Sequence, residues 1–154
     1  MSDIEAKLSD MGLSLPDAPA PAANYIPFVV TGKLVFVSGQ ISIAADGSLI
    51  TGKVGADLDV AAGAKAAERC ALNLLAQARA AAGGDFSRLK RAVKLTGFVN
   101  STPDFADQPK VINGASDLLV AVMGDAGRHS RSAVSAGALP LNVAVEIEGI
   151  FELA

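Results

Sequence analysis

Two hydrophobic periods alternate along the chain. The helical period is strongest over residues 57–82, where Val60, Ala64, Ala67, Ala71, Leu74, Leu75 and Ala78 form one stripe and Lys65, Glu68 and Arg69 fall off it. Gly83-Gly84 ends this helix. A second helix is predicted over 104–123, with Val111, Ala115, Leu118, Leu119 and Val122 on one side and a stop at Gly124-Asp125-Ala126-Gly127. A short amphipathic helix over 2–11 carries Ile4, Leu8 and Met11, with Ser2 as its cap. The strand period appears in 26–30 and 33–38, split by Thr31-Gly32 as a hairpin. It returns in 89–99, in a short strand over 131–137 before the Leu139-Pro140 corner, and most strictly in 143–153. There Val143, Val145, Ile147 and Phe151 face one way, and Glu146, Glu148 and Glu152 the other. Ala45-Asp46-Gly47-Ser48 reads as a turn, and the proline-rich stretch 16–21 as an extended connector.

Hairpin, helix, strand, helix, strand, strand is the order of an α+β fold, a mixed sheet with two helices packed on one face. Residues 1–22 form an N-terminal helix and connector ahead of one domain, 23–154.

Composition narrows the function classes. With 51% apolar and 19% charged residues in 154, the chain is not a disordered tail. So little polar side chain suggests a surface buried against another subunit. Thirteen basic residues against sixteen acidic give a net charge of -3, which argues against nucleic-acid partners. The cluster Arg88, Lys90, Arg91 and Lys94 reads as a solvated strand edge. A single cysteine, Cys70, suits a reducing compartment, and the acidic start lacks the layout of a secretion signal. No apolar run approaches the roughly 18 residues of a membrane span. A cytoplasmic location is expected.

Most chemical motifs are missing. There is no dinucleotide or phosphate-loop glycine pattern after a strand and no nucleophile elbow. One histidine and one cysteine cannot build a zinc site. His129 next to Ser130 is mere adjacency, and His129 reads as a loop histidine. Asn100-Ser101-Thr102 is a glycosylation sequon with no sign of secretion behind it, and Cys70 is a small core residue.

The informative constellation lies near the C-terminus. Arg131 opens a strand, Leu139-Pro140 follows eight and nine residues on, and then comes Val145-Glu146-Ile147-Glu148. Upstream lie Val37-Ser38-Gly39-Gln40, Tyr25 thirteen residues before Ser38, and Asn113 in the second helix. This set resembles the RidA/YjgF family over roughly Tyr25 to Glu148. The resemblance implies a chorismate-mutase-like fold and a homotrimer with clefts between subunits. It also implies hydrolysis of reactive imines and enamines, such as 2-iminopropionate and 2-aminoacrylate, to keto acids and ammonia without metal or organic cofactor. It places Arg131 and Glu146 as catalytic residues, with Tyr25, Ser38, Gly39, Asn113 and position 133 lining the cleft. Many members carry cysteine two residues after the arginine; here that residue is Ala133.

The chemistry of these side chains fits that reading. A guanidinium clamps a carboxylate through two parallel hydrogen bonds, fixing position and angle together. A glutamate on the polar side of a strand can orient and deprotonate water. The competing structural reading is an inter-strand ion pair between Arg131 and Glu146, with Tyr25 as packing and Ser38 as a strand-end hydrogen bonder. Two functional alternatives also stand. One is a non-catalytic small-carboxylate-binding or chaperone-like trimer; the other is an endoribonuclease, which the net charge and lack of a basic–aromatic surface disfavour.

Overall fold

The computed structural model describes residues 2–18, 20 and 23–154. Helix α1 (Asp3–Asp10) begins in a capping box: the Glu5 N–H donates to Ser2 Oγ at 3.2 Å, and the Ser2 N–H to the Glu5 carboxylate at 2.8 Å. Of the connector residues, Pro19 and Pro21 lie outside the described residues, as does Ala22 beside the expected domain boundary. Strands β1 (Phe28–Thr31) and β2 (Leu34–Ile41) form the antiparallel hairpin around Gly32. Helix α2 (Val60–Ala81) is capped by Asp59, which accepts from the Ala62 N–H at 2.8 Å. Then follow β3 (Leu89–Asn100), α3 (Gln108–Met123), β4 (Ser130–Ala136) and β5 (Val145–Leu153).

The sheet order is β1-β2-β5-β3-β4, and every pairing is antiparallel except β3 with β4. Parallel neighbours need a crossover, and α3 is that crossover. Val35, Val37, Leu95, Val99, Val145, Ile147 and Phe151 bury one face of the sheet under the helices. The two predicted helices lie there, and α1 joins them as a third. Its Leu8 is 1% exposed in the shared core, and Glu5 pairs with Arg79 of α2 at 3.1 Å. The other face is open and carries Phe36, Val29 and Val134, all more than 40% exposed.

Three sequence expectations need correction. Helix α3 starts at Gln108 rather than 104, because Pro109 is tolerated only in a first helical turn. The basic cluster is not one edge: β4 covers β3 from Lys94 onward, so only its first residues border solvent. Arg88 and Arg91 donate to backbone carbonyls, and Lys90 pairs with Glu152 at 2.9 Å. Third, α2 is buried well beyond its stripe. Asn73 is 1% exposed and donates to the carbonyls of Ile41 and Ile43, because the sheet lies on one side of this helix and α3 on another.

Two glycines set how deeply α3 sits. A Cβ on Gly97 of β3 would lie 2.5–3.0 Å from Ile112 side-chain carbons. One on Gly114 would run into the Ala64 carbonyl of α2, with the carbonyl carbon 2.7 Å away. The second contact is backbone on backbone and cannot swing aside. Gly114→Ala is therefore expected to cost about 2–3 kcal/mol, read as a lower urea midpoint at unchanged slope.

Candidate functional site

Parity decides where the candidate residues point. Arg131 of β4 lies opposite Leu95 of β3, a fully buried residue of the helix-covered face. Its side chain accordingly runs toward α3. Nη1 donates to Asn113 Oδ1 at 2.9 Å and to Ser116 Oγ at 3.1 Å, and Nη2 donates to the Pro109 carbonyl at 3.3 Å. Pro109, Asn113 and Ser116 lie three to four residues apart, so they share one helix face. A guanidinium has five N–H groups. Three are occupied here, leaving Nε–H and one Nη2–H without a protein acceptor among the described residues. Nε and Nη2 share one edge of the guanidinium plane, the edge that receives a carboxylate side-on. Ala133 follows on the same face, opposite Gly97, and packs against the core.

Glu146 lies opposite Phe98 and Ile41 on the open face. Strand β2 bulges beside it: Val37 opposes Gly149 and Gln40 opposes Ile147, so Ser38 and Gly39 together face one residue, Glu148. The bulge turns Gln40 inward, where it is 7% exposed, and brings the Gly39 backbone under Glu146. A Cβ at position 39 would overlap the Glu146 carboxylate, with Cδ at 3.0 Å and Cγ at 3.2 Å. Burial pushes the Glu146 carboxyl above its ordinary 4.5, and the neighbouring Glu148 carboxylate adds to the rise. Ser38 Oγ donates to the Ile26 carbonyl at 2.8 Å, which fastens the segment that carries Tyr25, itself 46% exposed.

The candidates thus form two groups. Arg131, Asn113 and Ala133 sit on the helix-covered side at the β4 end of the sheet. Glu146, Ser38 and Gly39 sit on the open side, with Tyr25 on the segment that Ser38 fastens. Two strand spacings and three residues separate the backbones of Arg131 and Glu146, roughly 14 Å, and the side chains leave opposite faces. An ion pair between them, the structural alternative, is not formed among the described residues.

Sequence reasoning missed Ser116, the Pro109 carbonyl and the ring of His129. His129 does lie in the loop before β4, but its partner is Ser116 at 2.9 Å, not Ser130, which donates to the Val93 carbonyl. The spacing of Asn113 and Ser116 on one helix was the available signal. Elsewhere, Cys70 is fully buried and its thiol pKa pushed up by that burial. Asn100 of the sequon is also fully buried and donates to the Val143 carbonyl, so no glycan fits there. No cluster of His, Cys, Asp and Glu able to hold a metal exists among the described residues, and no helix there is long and apolar enough to cross a membrane.

A family model described as "YjgF/chorismate_mutase-like, putative endoribonuclease" matches residues 5–153. The chain belongs to the YjgF/RidA family. It is 46% identical to Protein TCP17 of Trypanosoma cruzi over 97% of this chain and 94% of that one. Among solved structures it is similar to Atu1372 of Agrobacterium tumefaciens, a protein described as of unknown function. The identity is 48%, the TM-score 0.93, and coverage 99% of this chain and 93% of that one. RidA from the Antarctic bacterium Psychrobacter sp. PAMC 21119 matches at 27% identity and TM-score 0.62, over 88% of this chain and 94% of that one. The fold is the chorismate-mutase-like fold of this family, here with three helices on the mixed sheet.

Within this candidate site of the YjgF/RidA chain, Gly39 is the position where a methyl group tests the geometry. In Gly39→Ala the Glu146 carboxylate must swing toward solvent. The expected stability loss is small, under about 1 kcal/mol, because the far end of a flexible side chain gives way. The Glu146 titration, followed by carboxyl carbon NMR, should fall back toward 4.5; a titration unchanged from wild type would contradict the contact.

Proposed function

We propose that the chain hydrolyses reactive 2-imino acids, and the enamines that tautomerise to them, to 2-keto acids and ammonia. It does so as a homotrimer with clefts between subunits and without metal or organic cofactor. The observation that carries this reading is Arg131, anchored by α3 with Nε–H and one Nη2–H left over. A 2-imino acid presents a carboxylate one bond from an electrophilic C=N carbon, so holding the first positions the second. Membership of a family that includes solved RidA proteins supports the same class.

The two groups of residues divide the work. Arg131, Asn113 and Ala133 of one protomer form the carboxylate side of the cleft. The open face of a neighbouring protomer brings Glu146, Gly39, Ser38 and Tyr25. Glu146 takes a proton from water as its oxygen bonds to the C=N carbon, and returns that proton to the nitrogen, which becomes the amine of a carbinolamine. Glu146 then takes the hydroxyl proton as C=O forms and the C–N bond breaks, and hands it to the departing nitrogen, which leaves as ammonia. One imine and one water thus become one ketone and one ammonia. A carboxyl with a pKa raised by burial suits both halves of this exchange, since it holds a proton more readily than an exposed carboxylate and can return it.

A coupled assay of 2-iminopropionate generated in situ tests the reading. Wild type is expected to speed its decay, and Arg131→Ala to leave it at the uncatalysed rate. If both match the uncatalysed rate while only wild type binds pyruvate, a non-catalytic carboxylate-binding trimer takes this proposal's place. Glu146→Gln should bind pyruvate as wild type does yet lose about a hundredfold or more in turnover. Glu146 works only when ionised, and its pKa is raised. Turnover should therefore fall on the acid side at a pH above 4.5, and that limb should vanish in Glu146→Gln. Light scattering at micromolar concentration should give three times the mass of one chain.

A further inference from the structure

We propose that His129 and Ser116 are positioning residues that fix the plane of the Arg131 guanidinium for a ligand carboxylate; this rests on the reading of Arg131 as the carboxylate clamp. The argument is one of proton accounting along a chain of short contacts. Arg131 Nη1 lies 3.1 Å from Ser116 Oγ, Ser116 Oγ lies 2.9 Å from His129 Nε2, and His129 Nδ1 lies 2.6 Å from the Gly127 carbonyl. Both ends have only one option. The guanidinium can only donate, and the carbonyl can only accept. Ser116 Oγ therefore receives the Nη1–H, and His129 Nδ1 donates its hydrogen to the Gly127 carbonyl. In the neutral ring that leaves Nε2 as the acceptor of the Ser116 hydroxyl proton, so the contacts run in one direction from Arg131 to His129.

The surroundings hold this chain in place. Ser116 sits on α3, whose depth is fixed by Gly114 against Ala64 and Ile112 against Gly97. Gly127 lies under the same helix, where a Cβ would meet the Leu119 backbone. Asn113 and the Pro109 carbonyl hold the guanidinium at two points. Ser116 adds a third, on the same nitrogen as Asn113, and narrows the tilt of the plane, which a side-on carboxylate needs fixed. Loss of the relay should weaken carboxylate binding in the ground and transition states alike. It raises KM and leaves kcat nearly unchanged.

Two measurements test this, and neither requires turnover. His129 is the chain's single histidine, so its imidazole nitrogens appear unassisted in a long-range proton–nitrogen spectrum. The neutral ring is expected as the Nδ1–H tautomer in wild type; a dominant Nε2–H tautomer overturns the proposal. Calorimetric titration with pyruvate is the second. Ser116→Ala and His129→Phe should raise the dissociation constant about tenfold. Ser116→Thr keeps the hydroxyl, and His129→Gln offers a carbonyl oxygen near Nε2, so both should bind close to wild type. Equal pyruvate affinity in all five proteins sinks the relay even if imine hydrolysis is observed. The expected ordering with no hydrolysis upholds the relay and removes the deaminase reading alone. No pyruvate binding by wild type overturns both.

Discussion

The depth at which α3 lies on the sheet controls the rest of this molecule. Helices ordinarily pack some 8–10 Å from their neighbours, at a distance set by the side chains between them. Here Gly97 on the sheet and Gly114 on the helix remove those side chains at two points, so Ile112 drops onto β3 and the α3 backbone meets Ala64. The gain is reach. Asn113, Ser116 and the Pro109 carbonyl, all on one side of α3, come within 3.3 Å of a guanidinium rooted on the last strand of the sheet. A helix one side chain farther out would leave Arg131 a solvated arm on an edge strand. Core packing and site geometry are therefore one constraint.

The sheet imposes the second constraint, which is parity. A strand residue faces one side or the other, and the assignment passes from strand to strand through the register. Arg131 inherits the buried side from Leu95, and Glu146 inherits the open side from its place between Val145 and Ile147. No rotamer brings the two together within a chain. The cleft proposed above therefore calls for a second copy whose open face meets the α3–β4 edge of the first. The exposed Val29, Phe36 and Val134 on that open face give such an assembly apolar surface to cover.

Legibility in the sequence followed the strength of the pattern. Strand β5 alternates strictly, so the outward glutamates were readable, and the helix stripes and the hairpin at Gly32 were equally plain. Helix α3 begins four residues later than expected: its apolar stripe starts only at Val111, and Pro109, which favours a first helical turn, was the better signal for where it begins. Strand β4 was the opaque element. Arg-Ser-Ala-Val-Ser-Ala has no clean apolar–polar alternation, so nothing in it declares which face Arg131 takes. The bulge at Ser38–Gly39 was equally hidden, because an extra residue in a strand shows only against its partner's register. The His129–Ser116 contact joins a loop to a helix face across thirteen residues, and no sequence period covers that.

These constraints separate the two chemical tasks by rigidity. The proposed carboxylate clamp, Arg131, is hydrogen-bonded within one chain to a helix seated by backbone contact. The proposed base, Glu146, stands on a half-covered strand, and its carboxyl pKa is already raised by partial burial and by Glu148. Covering the open face in the proposed trimer removes further water from Glu146 while leaving Arg131 anchored from behind. Desolvation disfavours the ionised carboxylate, so the same contact that builds the cleft moves the base closer to neutrality. A chain with both groups on one face could tune neither independently. Each would feel the other's charge, and the guanidinium would hold the glutamate's pKa down, away from the range in which it can both take and return a proton.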